Sequence, residues 1–213
     1  MKKVRHFLAV LTVAMLTASC GTSSTVPITG RKQNILVSDE QVLSLSNQQY
    51  QEHMKQAKAS QDATSTAMVK RCGERLASAV VSYLQQNGLA AEVSQYKWEF
   101  NLVQDKSVNA FCMPGGKIVV YEGLLPVTKD ESSLAIVLGH EIAHAVAKHS
   151  AERLSNEVRK QYGAQIIGGV LQGAGASANL QNISSAVFGI GTTLGGAAYS
   201  RKQENEADRL GLI

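Results

Sequence analysis

Residues 138–147 read LGHEIAHAVA, placing His140, Glu141 and His144 inside a small, apolar run. Three such groups are costly in a dry interior unless something satisfies them. On a helix, residues four apart share a face one turn above each other, so both imidazoles can reach one ion about 2 Å from each nitrogen. Glu141 lies about 100° further round the helix. There it does not join the stripe as a ligand, but it can touch a water held at the ion. A divalent cation would satisfy all three groups, so the run reads as a metal-binding helix.

A catalytic zinc takes a third protein ligand and keeps one position open. The extended pattern with glycine at 147 and histidine at 150 is excluded, because those positions hold Ala147 and Ser150. Further on, ENEAD sets Glu204 and Asp208 four apart on one helical face. Glu204 is the candidate third ligand, and Asp208 the carboxylate that hydrogen-bonds the far nitrogen of a ligand histidine. Glu206 is expected to point elsewhere, into solvent. Glu141 favours chemistry over a closed structural site, which has no use for a base beside the water position. His149 and Tyr199 are the nearest candidates for a second oxyanion donor. Five residues past His144, His149 reads more readily as a surface histidine at the negative end of the helix.

Working outward, Thr128 and Glu131 form a capping box that opens the metal-binding helix, which is expected to run to about Lys148. Before it, VNAFCMPGGKIVVYEGLL reads as extended pieces at 108–112 and 117–121, joined by a turn at Pro114, Gly115 and Gly116. Asn109, Ala110 and Phe111 could offer an unpaired strand edge to an extended substrate, and an ordinary buried strand fits equally well. In YKWEFNLV, the residues Tyr96, Trp98, Phe100 and Leu102 alternate with polar ones, as in a half-buried strand. Met68, Cys72, Leu76, Val80 and Leu84 step at helical intervals, and Asn87-Gly88 supplies the stop. An earlier helix starts at Ser38, with Asp39 and Glu40 in its first turn and Gln41 completing a capping box. The expected fold class is α+β, mainly helical, with a small sheet packed against the metal-binding helix.

The pairing of HEIAH with SRKQENEAD, preceded by NAFCMPGGKIVVYEGLL, resembles the HtpX/BepA-type zinc endopeptidases, the family that also holds the CaaX prenyl endopeptidases. The resemblance covers most of residues 35–213. It implies a zincin-like metallopeptidase domain with one Zn2+ per chain, held by His140, His144 and Glu204. It further implies Glu141 as general base and Asp208 as the carboxylate behind a ligand. Substrates would be unfolded or extended polypeptides, here misfolded or stalled envelope proteins. Because that family continues past the EAD helix, a C-terminal piece is expected beyond Ile213. The competing reading is a zinc-stabilised, chaperone-like periplasmic lipoprotein that binds such chains without cutting them.

The first residues carry a different message. A basic head (Lys2, Lys3, Arg5), an apolar run at 7–16 and LTASCG read as a signal peptide over 1–19, with Cys20 lipidated as a membrane anchor. Residues 20–34 follow as a tether, and 35–213 as the metallopeptidase domain. Gly21 lacks the aspartate that retains many lipoproteins at the inner membrane, so the outer membrane facing the periplasm is the expected location. Removing 1–19 takes the net charge from +4 to +1, which leaves no nucleic-acid footprint. Cys72 and Cys112 fit no metal motif; a disulfide between them is one reading, and two isolated buried thiols are the preferred one. The uncharged stretch 161–200 is too often interrupted by Gln and Asn to span a membrane; it reads as loosely packed helices or a flap near the site. Composition sets no oligomeric state.

Overall fold

A computed structural model describes residues 22–26, 29–162, 180, 182–184, 187–188 and 199–213. The signal segment, Cys20 and most of the 161–200 stretch lie outside them. A hairpin of β1 (Thr22–Thr25) and β2 (Lys32–Ile35) leads into α1 (Asp39–Gln56) and α2 (Ala63–Gln86). Then come β3 (Glu99–Val103), β4 (Ala110–Met113) and β5 (Lys117–Tyr121), followed by the short α3 (Leu125–Thr128). The helices α4 (Glu131–Val146), α5 (His149–Tyr162) and α6 (Arg201–Gly211) complete the described chain. This is the mainly helical α+β fold that the sequence implies. Among the described residues no helix is long and apolar enough to cross a membrane.

β5 is the middle strand of its sheet, parallel to β3 and antiparallel to β4. Its residues KIVVY are buried throughout, the continuous apolar reading that a strand covered on both faces requires. Lys117 is accommodated there because its Nζ donates to the carbonyl of Lys97 and to Glu99. The β4–β5 turn uses Gly115 and Gly116 at φ 89° and 83°, in the region that favours glycine. A Cβ on Gly116 would also come within 2.7 Å of the Trp98 ring. The alternation that starts at Tyr96 is realised as a ladder of stacked rings, with Tyr96–Trp98 centroids 4.9 Å and Trp98–Phe100 centroids 6.4 Å apart. Strand pairing itself begins only at Glu99.

The sheet packs on α4. Leu102, Ala110, Cys112, Ile118 and Val120 meet Leu134, Leu138, Ile142 and Val146, with Val69 and Cys72 of α2 closing the cluster. Leu134, Leu138 and Ile142 repeat every four residues, so they form the buried stripe that sets the rotation of α4. Burying leucines such as Leu134 and Leu138 contributes about 1.5–3 kcal/mol each. Their rotation decides which way His140 and His144 look.

Three boundaries differ from expectation. α4 is capped by Asp130, whose Oδ1 accepts from Ser133 N at 2.7 Å, and not by Thr128. Thr128 instead ends α3, and Lys129 at φ 66° separates the two helices. α4 stops at Val146 rather than Lys148. Lys148 takes φ 54°, with its Nζ 2.9 Å from Asp39 and 3.4 Å from Glu92, so the chain turns and restarts as α5 at His149. Lastly, the stretch expected as a tether contains the β1–β2 hairpin, paired from Thr22↔Ile35 to Thr25↔Lys32. Gln33 fastens it to α4 by donating to the Ala147 carbonyl at 2.7 Å. The capping box at Ser38 and Gln41 forms as the sequence implies.

Candidate metal centre

The rotation of α4 and the crossing of α6 bring three side chains to one point. His140 Nε2 and His144 Nε2 lie 3.0 Å apart. Glu204 Oε2 is 3.4 Å from the first and 3.8 Å from the second. Two ligands bound at 2.0–2.1 Å in a tetrahedral shell are about 3.4 Å apart, so these three atoms have zinc-like spacing. The close crossing depends on two glycines. A Cβ on Gly139 would sit 2.6 Å from the carbonyl oxygen of Gly211, and one on Gly211 would sit 2.7 Å from the amide nitrogen of His140. With any side chain at either position, α6 could not lie this near, and Glu204 would be carried away from the histidines.

Hydrogen bonds on the far side of each ring set where its proton is. His140 Nδ1 donates to Asp208 Oδ1 at 2.8 Å, as expected for the carboxylate behind a ligand. Its Nε2 therefore carries a lone pair. On the other ring, His144 Nδ1 meets His149 Nδ1 at 2.8 Å, and His149 Nε2 donates to Glu206 Oε2 at 2.9 Å. With its Nε2 proton committed, neutral His149 accepts at Nδ1. His144 then donates from Nδ1 and also presents a lone pair at Nε2. Two lone pairs thus face each other across 3.0 Å, beside a carboxylate oxygen. A proton shared between the two nitrogens or a cation held among the three atoms relieves that contact, and two imidazoles with one carboxylate are a donor set suited to zinc.

Electrostatics agree with this geometry. Burial, together with the neighbouring His149 and His140, pushes His144 down to about 3, so its ring is neutral and available as a ligand. Glu141, half-buried on the same helix, is pushed up to about 8, first by burial and then by the charge of Glu204. A divalent cation in the pocket opposes both causes and favours the carboxylate form. Glu141 is thereby placed to exchange a proton near neutral pH.

Two sequence readings are corrected here. Glu206 is not solvated; it is buried and bonded to His149, to the Thr29 hydroxyl and to Arg31 Nε, the last at 2.8 Å. Nor is His149 a surface histidine, since its side chain is wholly buried. Both its ring nitrogens are engaged, which removes it as an oxyanion donor in this arrangement. Tyr199 is likewise committed, its ring stacked on His144 at 4.1 Å between centroids and its hydroxyl 2.9 Å from Ser150 Oγ. A helix that continued past Val146 would have carried residue 149 about 140° round from residue 144. The break at Lys148 is what returns His149 beneath it, and nothing in a local pattern announces that turn.

β4 is an outer strand, with β5 on one side and no further strand on the other among the described residues. Ala110 and Cys112 point into the core against α4, while Phe111 lies on the opposite face beside His53 and Tyr121. The Asn109 carbonyl accepts from Tyr121 N at 3.0 Å, continuing the β4–β5 ladder. Cys112 is close enough to Glu141 for that charge to add to burial in raising its thiol. Cys72 and Cys112 are both free and buried, as the sequence reading had them.

Comparison with known proteins gives the family. Residues 63–213 match peptidase family M48. The mitochondrial metalloendopeptidase OMA1 of Schizosaccharomyces pombe is 40% identical over 57% of this chain and 33% of its own length. Human mitochondrial metalloendopeptidase OMA1 is 29% identical over 88% of this chain and 35% of its own. The putative beta-barrel assembly-enhancing protease of Vibrio cholerae is 32% identical over 58% of this chain and 26% of its own. The matches thus span about a third or less of these relatives.

Proposed function

Because the chain belongs to peptidase family M48, we propose that it is a zinc-dependent endopeptidase. The observation that carries this reading is the convergence of two imidazole nitrogens and the Glu204 carboxylate, with Glu141 beside them. His140, His144 and Glu204 would hold the ion, and zinc there would polarise the scissile carbonyl and acidify a water near it. Glu141 takes the proton of the attacking water and later delivers it to the leaving amine. Asp208 keeps His140 oriented. An extended peptide would lie along the free edge of β4 near Asn109, Ala110 and Phe111, held by main-chain hydrogen bonds that read geometry more than sequence. Such a grip suits unfolded segments, and the names of the OMA1 and beta-barrel assembly-enhancing relatives support a role in proteolytic quality control. Misfolded or stalled envelope proteins are the substrates we propose.

The LTASCG pattern supports lipidation at Cys20 and a place on the outer membrane facing the periplasm. Fractionation of cells carrying wild type and Cys20→Ala tests this. Wild type in the inner membrane would contradict the location, and unchanged membrane association of the variant would contradict the anchor. For the activity, Glu141→Gln should keep zinc, measured by metal analysis, and lower cleavage of an unfolded model protein by about 10²–10⁴-fold. Cleavage at the wild-type rate would remove the endopeptidase reading.

A further inference from the structure

We propose that His149, Glu206 and Arg31 form a buried positioning strut that fixes His144 as a metal ligand, tying the N-terminal hairpin to the metal centre. The inference rests on the metal-site reading above and adds to it three residues that lie behind the ligands. It begins from three polar side chains on three different elements, β2's lead-in, α5 and α6. Arg31 Nε donates to Glu206 Oε2 at 2.8 Å, and the Thr29 hydroxyl donates to Glu206 Oε1. Glu206 is thus a carboxylate surrounded by donors, so its remaining partner, His149, must donate to it from Nε2. Neutral His149 is left with an acceptor at Nδ1, 2.8 Å from His144 Nδ1. With His149 neutral, the proton placement that satisfies these bonds puts the His144 proton on Nδ1 and turns the lone pair of its Nε2 toward His140 and Glu204.

Arg31 does more than cap the chain. Its Nη1 and Nη2 also bind both oxygens of Glu152 on α5, at 2.8 and 2.9 Å. Glu152 in turn accepts from Gln203 of α6 at 2.8 Å. One guanidinium therefore ties α5 to α6, the fork geometry for which arginine is suited and lysine is not. Arg31 lies outside residues 63–213, so this tie joins the hairpin to the part of the chain that matches the family. The inner part of the strut is shielded, with His149 wholly buried and Glu206 nearly so, while Arg31 at its outer end is 26% exposed. Buried polar chains of this kind favour one arrangement, because each alternative leaves a donor or acceptor unsatisfied.

The test is metal affinity in the full chain, read by zinc competition with a chromophoric chelator and by the absorption bands of the cobalt-substituted protein. Neither readout requires peptide cleavage. His149→Leu, which cannot accept the His144 proton, should weaken zinc binding about 10–100-fold and change the cobalt bands. His149→Asn, whose side-chain oxygen can accept near the position of Nδ1, should recover most of that loss. Wild-type affinity in His149→Leu, or equal weakness in folded forms of both variants, would overturn the strut. Should His149→Leu fail to fold, Glu206→Gln decides: about tenfold weaker zinc binding supports the proposal, and unchanged affinity refutes it. A wild-type chain that binds no zinc would instead sink the metal-site reading, and this inference with it.

Discussion

The two histidines proposed as ligands sit one turn apart on α4 and are supported in opposite ways. Behind His140 stands Asp208, whose side chain is 69% exposed and which acts alone. Behind His144 stands a chain of hydrogen bonds through His149, fully buried, to Glu206 and Arg31. The exposed carboxylate is screened by water, so it orients its ring at little cost to the fold. The buried chain is expensive to leave incomplete, so the same interaction that orients His144 also holds α5, α6 and the hairpin in place. One imidazole is thus held by a local contact and the other by tertiary structure.

Both supports ride on α6, so the largest expected effect comes from lifting that helix. Gly139→Leu places a side chain where even a Cβ would meet the Gly211 carbonyl at 2.6 Å. Overpacking of this kind costs about 1–3 kcal/mol, and here it also separates Glu204 from both histidines. Metal analysis should find the zinc lost while circular dichroism still reports a helical fold. Full stoichiometry would mean that the crossing does not set the site.

The next effect separates the two supports. Asp208→Asn should weaken zinc about tenfold and leave the apo-protein's melting temperature unchanged, because Asp208 is exposed and its hydrogen bond goes to His140. Glu206→Gln, by contrast, should lower that melting temperature as well, since Glu206 also anchors Arg31 and Thr29. Equal thermal shifts in the two variants would erase the distinction between local and tertiary support.

The smallest effect concerns pH. Burial alone would raise the Glu152 carboxyl, but hydrogen bonds from Arg31, Gln203 and Gln33 outweigh it and hold the group below its ordinary range. A carboxyl lowered in the folded state stabilises above its unfolded value, about 4.3, and that contribution is lost as pH falls through the folded value. The protection of β1 and β2 amides, relative to the free-peptide exchange rate, should therefore fall as pH drops below that unfolded value, ahead of protection in α2. Simultaneous loss of protection in both would show that the Arg31 tie does not control the hairpin.

Much of the site was legible because helices turn local spacing into shared faces. His140 with His144, and Glu204 with Asp208, needed only the four-residue interval, and the sheet's central strand needed only an apolar run. Glu206 was misread by the same rule: two positions from Glu204 it does face elsewhere, yet that direction holds the buried His149 and Arg31 in place of water. The hairpin was read as a tether because Ser, Thr, Gly and Pro favour turns and linkers alike. Whether such a segment pairs depends on what it can pack against, and here Gln33 and Arg31 find partners more than a hundred residues away.

Chain chemistry alone therefore determined the candidate ligand types, their spacing on two helices, the candidate base beside them and the α+β class, since each follows from periodicity within a few turns. Tertiary structure decided which carboxylate supports which ring, where α4 breaks, and that the N-terminal hairpin belongs to the metal centre. Those outcomes depend on long-range packing and on satisfying buried hydrogen bonds, and neither is encoded in the spacing of neighbouring residues.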